Sequence, residues 1–224
     1  ELSLTININL GRIYTVQRVM KTNPYSGKFI VFEGLDGSGQ STQADLLKNF
    51  LTEKGFEVIL TKEPTQDSQA SREIRETLDK KIKITPQKLQ ELFTQDRREH
   101  LENLIIPALK EGKMVISDRY FFSTFAYGVF SGLDLTWLMK INDEFLIPDL
   151  TFILKVRPEI CVSRIEKRGS AKTLFEEAEK LSKVWQTYAI LPHHIENAYI
   201  INGEKTIDEV FAEVKLQVHS KLNL

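Results

Sequence analysis

Apolar and polar positions alternate between two periods along the chain. Residues 29–32, Phe-Ile-Val-Phe, form a short apolar run that fits a strand buried on both faces. Similar runs at 58–60, 114–117, 150–156 and 199–201 predict four further strands. Between them the apolar positions recur at helical spacing. Leu46, Leu47 and Phe50 mark a helix that continues over 44–54 and stops at Gly55, a C-cap residue. Residues 68–80 read as a charged helix with a solvated face. Pro86 suits the first position of a long helix over 86–110, striped by Leu89, Leu92, Phe93, Leu101, Leu104 and Ile105. Asp134 is the expected cap of a helix through 145, and Pro158 opens another. Val210, Phe211, Val214 and Val218 line the last helix. Strands that alternate with helices imply a parallel sheet covered on both faces, a three-layer α/β/α arrangement with five strands.

Residues 1–27 stand apart, because they precede the first strand without feeding it. An extra strand, a partner-binding arm and a loose tail are all compatible with their mix of Ile, Leu, Asn and Thr. The expectation is a poorly ordered extension, since termini are ordered only where something ties them down. Met20 is a candidate natural start. Residues 28–224 then make one domain, with no repeat or linker to divide it.

The bulk numbers narrow the function. With 30 basic and 31 acidic residues the formal charge is −1, which argues against a coat for nucleic acid or anionic membrane. Cys161, the single cysteine, excludes a disulfide framework and a thiolate metal cluster, and fits a reducing, cytoplasmic compartment. No run approaches the ~18 apolar residues of a membrane span. Residues 1–19 lack the compact apolar core of a secretory signal.

The chemistry concentrates after the first strand, in Gly34-Leu35-Asp36-Gly37-Ser38-Gly39-Gln40-Ser41-Thr42. Strand, glycine-rich turn and helix start together make an anion cradle. The glycines let backbone N–H groups converge, and the helix N-terminus adds partial positive charge. The spacing fits a phosphate-binding loop with Gly34 and Gly39 as its glycines and Ser41 as a Mg²⁺ hydroxyl. The position of the loop lysine holds Gln40. Strand 114–117 delivers Asp118 and Arg119 beside this loop, as an NTPase does to steer Mg²⁺. Phe93 and Arg97, four apart, share a helix face, as do Arg164 and Arg168.

Five motifs occur in order: FEGLDGSGQSTQ, KEP, LFTQDRREH, DRYFFSTFAYG and PDLTFILKVRPEICVSRIEKRG. Together they resemble thymidylate kinases, P-loop enzymes that move the γ-phosphoryl of ATP onto dTMP. The resemblance covers about residues 28–220. It implies a P-loop NTPase fold, ATP and Mg²⁺ as cofactors, dTMP as small-molecule substrate and a homodimer. By the same resemblance the loop residues from Gly34 to Thr42 hold the ATP phosphates, with Ser41 and Asp118 at the metal. Asp36 approaches the sugar 3′-hydroxyl of the acceptor. Phe93 stacks on thymine, and Arg97 binds the base or acceptor phosphate region. Arg119 meets the acceptor phosphate, Lys62 is a further substrate-binding residue, and Thr124 and Tyr127 meet the base and deoxyribose. Arg164 lies along the adenine side, with Arg168 at the start of a lid over 168–176. Lys172 in that lid is the candidate cation that offsets Gln40.

Three departures bear on this expectation. Gln40 carries no charge. Lys62 keeps the charge of the more usual arginine and loses its fork. The lid lacks its usual arginine near 173, and Gly128 stands where a glutamine is frequent. A catalytically silent nucleotide binder and a kinase for another acceptor are the alternatives.

Overall fold

The computed structural model describes residues 20–167 and 178–222. In chain order its elements are β1 (Lys21–Thr22), β2 (Lys28–Gly34), α1 (Gln40–Glu53), β3 (Val58–Lys62), α2 (Gln69–Leu78) and α3 (Pro86–His100). A π-helical turn at Leu101–Ile105 joins α3 to α4 (Ile106–Lys110), so the expected long helix runs unbroken but changes its winding. Pro107, which has no N–H to give, sits just past that turn. Then come β4 (Met114–Asp118), α5 (Phe121–Phe130), α6 (Leu135–Ile141), β5 (Leu146–Ile147), β6 (Leu150–Lys155), α7 (Pro158–Lys167), α8 (Ala178–Ile190), β7 (Ala198–Asn202) and α9 (Ile207–Leu222).

Five strands form one parallel sheet in the order β3-β4-β2-β6-β7. The expected strand number and direction hold. β2 lies at the centre because it is apolar on both faces. Phe29 and Val31 pack with α4 and α5 residues such as Leu109 and Phe125. Ile30 and Phe32 point the other way, against Leu47 of α1 and Val214 of α9. This period of two along one strand builds the three layers. The chain leaves β2 for β3 and β4 on one side, then crosses to β6 and β7 on the other. The switch point therefore falls at the carboxyl end of β2, where open α/β sheets bind ligands.

Two expectations are corrected. Residues 20–27 are not a poorly ordered extension: Lys21 and Thr22 pair in parallel with β5, and Met20 is buried. The Gly27 N–H donates to Leu109 O, and the Asn23 amide donates to Asp149. These contacts are what tie this stretch down. Residues 1–19 lie outside the described residues. The helix capped by Asp134 stops at Ile141 and not near 145, because the chain turns there to supply β5. Among the described residues no helix is long and apolar enough to cross a membrane.

Candidate active site

The loop between β2 and α1 closes tightly. Ser38 N–H donates to Leu35 O at 3.0 Å. Gly37 has φ +85°, and a Cβ there would meet Cys161 O at 2.6 Å, so only glycine lets the loop lie against α7. Leu35 contributes backbone alone, since its side chain is in the core. Thr42 and Ser41 are exposed in the first turn of α1.

Gln40 behaves differently from a loop cation. It is 5% exposed. Its Nε2 donates to Gly34 O at 2.9 Å, and its Oε1 accepts from Ser38 Oγ at 3.1 Å. The amide therefore braces the loop from inside and leaves the charge deficit uncorrected. Arg164 braces the other side, donating to Ser38 O and Gly203 O at 3.3 and 3.1 Å. Arg168, Lys172 and the expected lid lie outside the described residues.

Beside the loop, Ser41 Oγ donates to Asp118 Oδ2 at 2.5 Å. Parallel pairing forces this approach, because β4 sets Asp118 opposite Phe32 and Lys62. A hydroxyl and a carboxylate are hard oxygen donors, and Mg²⁺ is commonly held by one or two such groups while keeping several waters. The pair fits that ion.

Arg119 is turned back over the loop by a left-handed backbone, φ +79°, a strained conformation of the kind that clusters at functional sites. Its Nη2 reaches Asp36 at 2.6 Å, and its Nη1 donates to Gly34 O and Ser123 Oγ. Tyr127 donates to the other oxygen of Asp36 at 3.0 Å. Burial, then the Asp36 charge, hold the Tyr127 phenol well above its ordinary pKa, so it stays a donor.

Arg97 is 1% exposed and engaged on three sides. It donates to Glu63 Oε2 through Nε at 2.8 Å, and to Asn142 and Thr124 through Nη1 at 2.6 and 3.1 Å. Its guanidinium lies over the Tyr120 ring. His100 holds the second Glu63 oxygen at 3.2 Å. The arginine is thus fixed before any ligand arrives.

These pieces enclose a cavity of about 400 Å³, lined by Asp36, Lys62, Phe93, Arg97, Arg119 and Tyr127, with Thr124 behind. Its size suits a mononucleotide. A larger hollow of about 750 Å³ opens on the outer side of the Ser41–Asp118 pair. Among the described residues its lining holds no Phe, Tyr or Trp, and its one ring, His100, has both nitrogens engaged by Thr61 and Glu63.

The thymidylate kinase family model matches residues 32–214. The chain belongs to the thymidylate kinase family. It is 39% identical over 201 residues to a probable thymidylate kinase of Pyrococcus horikoshii, covering 88% of this chain and 98% of the relative. It is 39% identical over 208 residues to the thymidylate kinase of Desulfotalea psychrophila, covering 92% and 100%. The solved thymidylate kinase of Candida albicans superposes with a TM-score of 0.71 at 26% identity, covering 88% of this chain and 93% of that one. Membership favours a kinase over the silent nucleotide binder that Gln40 suggests.

Several residues around the cavity carried no signal strong enough to assign them from sequence. Glu63 stands inside the KEP motif, but it and the distant Asn142 meet only through Arg97, and only the fold joins the three. Glu33 is 0% exposed beneath the loop. It accepts from Tyr120 N–H, Ser123 N–H, Ser123 Oγ and Tyr188 OH. A charged residue ending an apolar strand was the available hint. Burial, partly offset by Arg119 and these donors, raises its pKa to about 7.

Proposed function

We propose that this chain transfers the γ-phosphoryl group of Mg-ATP to dTMP, giving ADP and dTDP. One observation carries the reading. An aromatic ring, Phe93, and a cation, Arg119, line one cavity together with Asp36 of the glycine-rich loop, and Arg119 bonds the loop at Gly34 O.

The chemistry asks for alignment and charge neutralisation more than for covalent work. An oxygen of the acceptor phosphate attacks the γ-phosphorus, that O–P bond forms, and the bond from the γ-phosphorus to the β–γ bridging oxygen breaks. A phosphate monoester is largely ionised near neutral pH, so no side chain has to take a proton in this step. Arg119 and Lys62 hold the acceptor phosphate. Asp36 sets Arg119 and, with Tyr127, accepts the acceptor sugar. Phe93 carries the base, with Arg97 and Thr124 forming the rigid wall at its edge. Gly34, Gly37, Ser38, Gly39 and Thr42 surround the ATP phosphates, and Arg164 borders the adenine side. Ser41 and Asp118 would hold Mg²⁺, which when bound offsets developing phosphate charge. Lys172, with Arg168, is assigned the charge that Gln40 does not supply. A cytoplasmic homodimer belongs to the same proposal and rests on family membership.

The test is ADP release coupled to a spectroscopic readout, with dTMP, dUMP, dGMP and thymidine as acceptors. The expected result is turnover with dTMP well above the ATP-only control. Turnover with dTMP no higher than that control overturns the proposal, and a preference for thymidine moves the acceptor to a nucleoside.

A further inference from the structure

We infer that Gln90 reads the hydrogen-bonding edge of the acceptor base, supplying the contact to N3 of a pyrimidine whose 4-carbonyl Arg97 favours. This deepens the proposed function and rests on it. Gln90, Phe93 and Arg97 stand at i, i+3 and i+7 on α3, so they share one face. All three line the 400 Å³ cavity. Gln90 is 1% exposed, yet its Oε1 has no hydrogen-bond partner among the described residues. Buried polar atoms are almost always paired, and leaving one unpaired costs free energy that a donor on a ligand recovers.

Three other polar side chains of the wall are already engaged. Thr124 accepts from Arg97, Tyr127 donates to Asp36, and Glu63 holds Arg97 and His100. Gly128 has no side chain, and a Cβ there would meet Leu138 Cδ1 at 2.7 Å, so α5 cannot extend an amide from that point. The Tyr120 hydroxyl is also unpaired, but its ring packs behind Arg97, 5.1 Å from the guanidinium. Gln90 instead lies one turn from Phe93 on the same face. A ring stacked on Phe93 brings its edge to that turn.

The chemistry then selects the base. A carboxamide offers an acceptor and a donor side by side, which match N3–H and a neighbouring carbonyl. Cytosine reverses this pattern. A half-turn of the amide alone would accommodate it. Arg97 can only donate, so it favours a 4-carbonyl and opposes a 4-amino group at the same edge. The pair therefore specifies thymine and uracil over cytosine, with Gln90 supplying the N3 contact.

The experiment measures binding of dTMP, dUMP and dCMP by calorimetry, alongside steady-state turnover, for wild type, Gln90→Leu and Gln90→Met. Thermal denaturation of each variant establishes that it is folded, and two apolar replacements guard against one failing. Wild type is expected to bind dUMP at least tenfold more tightly than dCMP. Both variants are expected to bind dTMP and dUMP about tenfold or more weakly, with ATP binding unchanged, while keeping most of the dUMP-to-dCMP ratio that Arg97 sets. KM for dTMP is expected to rise in step. A folded variant that binds dTMP as tightly as wild type overturns the assignment, and so does a wild type that binds all three equally or none. If wild type binds dTMP selectively but does not turn it over, the kinase reading fails while the Gln90 assignment stands, since the calorimetry decides it alone.

Discussion

Replacing Glu33 by Gln should make stability less sensitive to pH, and the size of the effect follows from the burial of this one carboxyl. Glu33 sits beneath the loop with its pKa raised from 4.5 to about 7, chiefly by burial, against the opposing pull of Arg119 and of hydrogen bonds from Ser123, Tyr120 and Tyr188. A raised acid pKa means that the fold holds a proton the unfolded chain has already released. Between these two pKa values stability therefore falls as pH rises, and above the folded value this group adds no further change. From about pH 5 to about pH 8.5 the loss amounts to ~2.5 kcal/mol at 1.36 kcal/mol per pKa unit. Glutamine keeps the shape and can still accept from the Tyr120 and Ser123 N–H groups, while Ser123 Oγ and Tyr188 turn to accept from its amide. Wild type and variant should then be similar in stability near pH 5, where Glu33 is protonated. The variant should lead by ~2.5 kcal/mol near pH 8.5, or roughly 5–10 °C in Tm for a domain of this size. Urea denaturation of both proteins across that range reads the difference directly, with other titrating groups cancelling. A stability gap that does not widen with pH refutes the argument.

Gly128→Ala should lower stability by about 1–3 kcal/mol, seen as a Tm drop of several degrees, because the new Cβ meets Leu138 at 2.7 Å and Leu138 is fully buried. An unchanged Tm would show that α5 and α6 can separate. Arg97→Met should cost about 3–5 kcal/mol by leaving Glu63 buried without its cation, measured by denaturant midpoint. A loss under ~1 kcal/mol would mean that His100 or water satisfies Glu63 alone. Gln40→Lys should change kcat for phosphoryl transfer by less than about tenfold, since Lys172 and Arg168 are assigned the missing charge and the buried amide braces the loop. A gain of about a hundredfold or more, with ATP binding intact, would mean that the charge deficit is not supplied from elsewhere.

Period alone decided much of this protein. Five apolar runs separated by helical stripes leave little choice but a covered parallel sheet, because a strand apolar on both faces must be buried on both. Likewise Gly34, Gly37 and Gly39 between a strand and a helix dictate a tight turn, since their positive φ disfavours side chains. Local patterning also placed Asp118 and Arg119 at a strand tip. What it left open depends on which distant segments the sheet brings together. β1 is too short to have a period, and it exists because β5 offers it an edge. The sequence marks Gln40 as a missing charge, and only the fold turns its amide inward onto Gly34 and Ser38. Arg97 reads as a free cation until Glu63, Thr124 and Asn142, each from a different part of the chain, fix it in the cavity wall. Gln90 is one polar residue among many on a helix until burial leaves its carbonyl without a partner among the described residues. Hydrophobic spacing is a property of neighbours along the chain, whereas pairing and desolvation are properties of neighbours in space.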